Sequence, residues 1–136
     1  MTIPIFYTIS DNYTAYAYVS IQSLIDHADS NKDYTITLLV QTLSDKHRES
    51  LKSLETNNIH INIFHIDDKM VRPIHNNDAN YLRGQFFTMS IFYRLFVPDL
   101  FPQYDKAIYL DADTIICTDI ANLYNIDVGN NMFASC

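Results

Sequence analysis

The sequence predicts an α/β fold in which a mostly parallel sheet is covered by helices on both faces, and three features predict it. Apolar, β-branched runs alternate with segments of helical periodicity in the order strand-helix-strand-helix-strand, the pattern of crossover units that build parallel sheets. A further apolar run near the C-terminal end stops abruptly at two acids, Asp111 and Asp113. At 136 residues and 48% hydrophobic, the chain has enough apolar surface for one core and reads as a single domain.

Ile3 to Ile9 is the first buried strand, and Ala15 to Ala28 is the helix after it, with Ala17, Ile21, Leu24, Ile25 and Ala28 on one face. Tyr34 to Val40 is the second strand. Ser44 has the side chain of an N-cap, and the helix it opens runs through Asn57 and turns Leu51 and Leu54 inward. His60 to Ile66 is the third strand. Asp67 to Tyr81 is polar, contains Pro73 and lacks periodicity, so it is expected as a long loop of the kind that often carries function. Thr88 to Val97 is a helix with Met89, Phe92, Tyr93 and Phe96 at helical spacing, stopped near Pro98. Lys106 to Leu110 is the fourth strand. Thr114 to Cys117 extends again, Ile120 to Tyr124 makes a short helical turn, and Met132 to Ser135 is a last short strand. Internal repeats and low-complexity tracts are absent.

Charge narrows the function. The formal net charge is -7 and no Lys/Arg run occurs, so nucleic acid is not an expected partner. Cys117 and Cys136 form no CxxC pair, which argues against a zinc ribbon or thioredoxin chemistry. The start, Met1 to Phe6, has no basic region, long apolar stretch or cleavage site, and no apolar run reaches the ~20 residues of a bilayer crossing. A cytoplasmic location is the expectation.

The strongest local signal is the strand Ala107 to Leu110 running into Asp111-Ala112-Asp113. Ligands of open α/β sheets sit beyond the carboxyl ends of strands. In extended chain, residues two apart face the same side, so both carboxylates converge on one ion, and such hard oxygen donors suit Mn²⁺ or Mg²⁺. The competing reading makes Asp111 a turn cap and leaves Asp113 solvated. With only two glycines, Gly84 and Gly129, the chain has neither GxGxxG nor a Walker loop, so a bound phosphate would need a metal and side chains. Arg94, on an otherwise largely apolar helix just before this strand, can pair with an aspartate or a phosphate. At the end of the first strand, Tyr7 to Tyr13 offers backbone groups and short polar side chains that can bond a base and the Tyr13 ring to stack on it, or Ser10, Asp11 or Asn12 simply caps the next helix. The five histidines are scattered, without HExxH, and read as surface or structural.

Taken in order and spacing, YTISDNYTAYAYVSIQSL, SIFYRLFVPDLFP and YDKAIYLDADTII resemble the N-terminal part of family 8 glycosyltransferases, which include bacterial galactosyl- and glucosyltransferases and the glycogenins. The resemblance implies a GT-A fold with a Rossmann-like sheet, a UDP-sugar donor (UDP-glucose or UDP-galactose), Mn²⁺ dependence and transfer with retention to a glycan or protein acceptor, as in lipopolysaccharide or polysaccharide synthesis. Carried over by position, Asp111 and Asp113 bind the metal, Thr8, Ser10, Asn12 and Tyr13 form the uridine pocket, and Arg94 and Ala112 line the donor site. Many relatives carry an aspartate at the place of Ser10, which bears on uracil preference.

The resemblance also implies that residues 1–136 are the nucleotide-sugar-binding portion of one GT-A domain. A later metal-binding histidine, the acceptor-binding residues and any peripheral membrane contact would fall beyond Cys136, so the chain is expected to be a truncated representative. Two alternatives remain: a haloacid-dehalogenase-like phosphatase using Asp111 and Asp113, and a non-catalytic UDP-binding module.

Overall fold

The computed structural model describes residues 2–67, 93–129, 131 and 134. The elements are β1 (Thr2–Thr8), a 3-10 turn (Asp11–Tyr13), α1 (Thr14–His27), β2 (Asp33–Val40), α2 (Asp45–Lys52), β3 (Ile59–His65), a second 3-10 turn (Arg94–Phe96), α3 (Val97–Leu100), β4 (Ile108–Leu110) and α4 (Ala121–Tyr124). The described strands form one sheet in the order β3-β2-β1-β4, and each neighbouring pair is parallel. β1 and β4 are adjacent with Tyr7 opposite Leu110, so Thr8 and Asp111 follow side by side at the carboxyl edge.

Successive residues of a strand point to opposite faces, and the two faces are covered differently. Ile3, Ile5, Tyr7, Ile36 and Leu38 pack with Ala17, Ile21 and Leu24 of α1, and with Leu51, Leu54, Ile116 and Ile120, in the larger core. On the opposite face Phe6 and Leu39 join Ile66 and Tyr93, against Phe64, Phe96, Phe101, Tyr104 and Tyr109. There Phe101 packs 4.8 Å from Phe6 and 5.1 Å from Phe64, ring centre to ring centre, in tilted and edge-on geometry. Each fully buried aliphatic or aromatic side chain contributes about 1.5–3 kcal/mol from removal of its surface from water.

Several boundaries differ from expectation for identifiable reasons. α2 ends at Lys52 instead of reaching Asn57. Thr56 N–H turns to the Ile59 carbonyl, and the Asn58 amide donates to the carbonyls of Asp29 and Lys32, so local polar groups outcompete the helix. Ser44 occupies the N-cap position of α2 but its side chain makes no capping bond. Asp11, from the turn after β1, anchors this helix start from outside, since its Oδ1 accepts from Ser44 N–H and from His47 Nδ1, both at 2.8 Å. Pro98 does not stop the helix that begins before it. It sits in the first turn of α3, where its missing N–H has no intrahelical partner to lose. The expected helix Thr88 to Val97 is described only from Tyr93. Its residues 88–92, residues 68–81 of the expected loop, and Met132, Phe133 and Ser135 of the last expected strand lie outside the described residues.

Thr114 to Cys117, expected to extend again, joins no strand ladder among the described residues. It runs beside α1 instead, with Ile116 N–H donating to Ser23 Oγ at 2.9 Å. At the far end of this run Asp119 accepts from Lys32 Nζ at 2.6 Å, Tyr34 OH at 2.7 Å and Ala121 N–H at 2.9 Å. The loop before β2 and the approach to α4 are thereby tied together.

Candidate functional site

The carboxyl ends of β1 and β4 form one mouth, with residues 8–13 on one side and 111–114 on the other. Parallel-sheet geometry places ligands at such an edge. Here the chain does not stay extended through Asp111-Ala112-Asp113, as the sequence suggested. Thr114 N–H and Thr114 Oγ1 both donate to the Asp111 carbonyl, at 3.2 and 2.8 Å, and close a tight turn. The reason is the hydroxyl of Thr114, which offers the carbonyl a local partner after β4 has ended at Leu110.

Within this turn exposure alternates: Asp111 and Asp113 are exposed, whereas Ala112 is 7% exposed and belongs to the core. Only the backbone of Ala112 is therefore available to a ligand. Arg94 Nη2 lies 3.2 Å from Asp111 Oδ1, and its guanidinium stacks 4.9 Å from the centre of the Tyr109 ring. The pairing of Arg94 with an aspartate foreseen from sequence is thus present. Burial raises the Tyr109 phenol, and the Arg94 charge offsets part of that rise. Asp113 makes no hydrogen bond or ion pair among the described residues. No cluster of three or more His, Cys, Asp or Glu occurs among the described residues.

On the β1 side, Thr8 Oγ1 is buried without a hydrogen-bond partner among the described residues. Ser10 stands before the 3-10 turn with extended backbone and makes no side-chain capping bond, and its carbonyl accepts from Tyr13 N–H at 2.9 Å. Helix capping thus does not account for Ser10. Asp11 is committed to α2, and the Ser44 N–H, then His47, hold its carboxyl below the usual range. Asn12 and Tyr13 are exposed, with the Tyr13 ring 5.5 Å from that of Tyr16. A shallow, mainly apolar depression adjoins Asp113, lined by Ala15, Tyr16, Val19, Thr114 and Ile115. Sequence reasoning passed over Thr114 as a shaping residue, although a hydroxyl side chain directly after an acid pair is a turn-closing signal.

Residues 4–136 match the family model described as Glycosyl transferase family 8. Human glycosyltransferase 8 domain-containing protein 1 is 31% identical over 123 residues, which cover 90% of this chain and 32% of that protein. The glycosyltransferase GlyE of Streptococcus pneumoniae is 41% identical over 44 residues, 32% of this chain and 11% of GlyE. Among solved structures, the WbbM bifunctional glycosyltransferase in its apo form superposes with a TM-score of 0.76 at 30% identity, over 96% of this chain and 22% of that one. The galactosyltransferase LgtC in complex with donor and acceptor sugar analogs gives 0.72 at 21% identity, over 95% of this chain and 44% of that one. The chain spans about a third of the length of the first curated relatives it matches.

Proposed function

The chain belongs to glycosyl transferase family 8, and from that premise we propose that it supplies the donor-binding part of an enzyme moving a hexose from a UDP-sugar to a glycan or protein acceptor. Its fold is the GT-A arrangement of a Rossmann-like parallel sheet with flanking helices. The donor is UDP-glucose or UDP-galactose, transfer proceeds with retention, and the setting is cytoplasmic lipopolysaccharide or polysaccharide synthesis. No helix among the described residues is long and apolar enough to cross a membrane.

The observation that carries the reading is the exposed acid pair at the β4 terminus, beside a β1 end where Ser10 makes no side-chain capping bond. Two hard carboxylates on the solvent side of a turn suit Mn²⁺ or Mg²⁺, with Asp111 and Asp113 as the protein ligands. When bound, the cation supplies positive charge to the diphosphate leaving group. Thr8, Ser10 and Asn12 bond the uridine, and Tyr13, exposed at the rim, stacks on the base. Ser10 offers uracil a hydroxyl where many relatives have an aspartate. Arg94, close to Asp111, steadies the phosphate side. The family match leaves the phosphatase reading without support.

Thermal melting with UDP, UDP-glucose, UDP-galactose or GDP, each with Mn²⁺ or with chelator, tests the proposal. UDP with Mn²⁺ at about 100 times its Kd stabilises by about 2.7 kcal/mol, and Asp113→Asn removes most of that gain. Equal stabilisation in chelator, or an undiminished gain in Asp113→Asn, overturns it.

A further inference from the structure

A row of oxygens leads from the middle of the sheet to the acid-bearing turn. Tyr7 OH lies 3.1 Å from Ser20 Oγ, Ser20 Oγ lies 3.2 Å from Thr114 Oγ1, and Thr114 Oγ1 lies 2.8 Å from the Asp111 carbonyl oxygen. Distances alone leave the direction of the first two bonds open, but each hydroxyl has only one proton to donate. A carbonyl only accepts, so the Thr114 proton goes to Asp111. Thr114 Oγ1 must then accept from Ser20, and Ser20 Oγ, its own proton committed, must accept from Tyr7. The row therefore runs one way, from Tyr7 to the Asp111 carbonyl, and successive bonds of this kind polarise one another.

Tyr7 and Ser20 are both fully buried. Burial pushes the Tyr7 phenol up to about 12, so its proton is present throughout the neutral range. One turn further along α1, Ser23 repeats the device: its hydroxyl donates to the Ser20 carbonyl at 2.7 Å and accepts from Ile116 N–H at 2.9 Å. Phenylalanine, alanine and valine would fill the same interior volume without any need for hydrogen-bond partners. The hydroxyls add direction, because each bond fixes an angle as well as a distance.

We propose, resting on the assignment of Asp111 and Asp113 as cation ligands, that Tyr7, Ser20 and Thr114 are positioning residues whose hydroxyl row pins the Asp111 carbonyl and sets the pitch of the turn that presents both carboxylates. The sheet and α1 thereby orient the two acids without touching the ligand. Outer partners of this sort tune cation affinity by about 10–100-fold when removed.

The test is titration of Mn²⁺ into this chain at saturating UDP, with free Mn²⁺ read by electron paramagnetic resonance and melting in chelator followed in parallel. Thr114→Val weakens Mn²⁺ binding about tenfold, Thr114→Ser restores it, and Tyr7→Phe, farther from the turn, gives a smaller loss. Parent-like Mn²⁺ affinity in Thr114→Val, while Asp113→Asn loses binding, overturns the positioning row and leaves the cation assignment standing. Parent-like affinity in Asp113→Asn overturns the cation assignment and this inference with it. A lowered melting temperature in chelator with unchanged Mn²⁺ affinity marks the row as purely structural and also overturns it. If Thr114→Val does not fold, Thr114→Ser and Tyr7→Phe decide, the former binding like the parent and the latter more weakly.

Discussion

Asp113 and Asp119 stand close together on one stretch of chain, yet their surroundings are opposite. Asp119 is satisfied by a lysine ammonium, a tyrosine hydroxyl and a backbone N–H, and its side chain is 16% exposed. Asp113 is exposed and makes no hydrogen bond or ion pair among the described residues. Both carboxylates carry the same charge, so the difference lies in what the fold has aimed at them. A carboxylate surrounded by the protein's own donors is a tie. One left on the solvent side at a strand terminus gives its lone pairs to water, and on the proposed reading exchanges that water for a cation.

The largest effect that separates the two is on stability. Asp119→Ala leaves the Tyr34 hydroxyl without its acceptor and the Lys32 ammonium with only the Asp29 carboxylate, 3.5 Å away, and costs about 2 kcal/mol in urea unfolding. The increment in melting temperature from UDP with Mn²⁺ is unchanged. A variant as stable as the parent would break the comparison. Acid sharpens it further. Burial raises the Asp119 pKa, but Lys32, the Ala121 N–H and Tyr34 together outweigh burial and leave it below its ordinary 3.8. A group depressed in the folded state contributes its full stability above the unfolded value and loses it as the pH falls through the lower folded value. Melting temperature measured from about pH 5 down to about pH 2 declines less steeply in Asp119→Asn than in the parent. Parallel curves would mean that Asp119 contributes nothing to acid sensitivity.

What the sequence disclosed, and what it withheld, follows the same division between near and distant partners. The strands and α1 were legible because burial on a sheet or a helix face imposes a period that apolar residues record directly. Ala17, Ile21 and Leu24 were assigned to the buried face of α1, and they are there. The acid pair was legible as a candidate site, and the structure adds that both acids are exposed just past the end of β4. Its conformation was not: the N–H and the hydroxyl of Thr114 together close the turn on the Asp111 carbonyl, a choice that the apolar period of the strand before it does not record. Asp11 and Asp119 were not legible as ties at all. Asp11 bonds to Ser44 and His47 from a different βα unit, and the two side-chain partners of Asp119 are 87 and 85 residues away. Nothing in a local window records such contacts. α2 fell short for a similar reason, its expected last turn surrendered when Asn58 was drawn to the loop before β2.

Arg94 tests the boundary between the two classes with the smallest expected effect. It contacts both Asp111 and the Tyr109 ring, as a structural ion pair would. Its side chain is 42% exposed and that of Asp111 58%, so water competes for both charges, and an exposed pair of this kind contributes at most about 1 kcal/mol. Lys32 is comparably exposed, but it meets a carboxylate that is 16% exposed and also bonded to Tyr34 and Ala121, which is a different situation. Arg94→Ala therefore lowers the stability of the ligand-free chain by less than about 1 kcal/mol in urea unfolding. It weakens UDP binding in Mn²⁺ more than it weakens the fold, because a guanidinium beside a diphosphate makes charge-assisted bonds that water replaces poorly. A loss of more than about 2 kcal/mol without a change in UDP affinity would move Arg94 into the class of Lys32, a tie between the 3-10 turn and the end of β4, and would take it out of the proposed donor site.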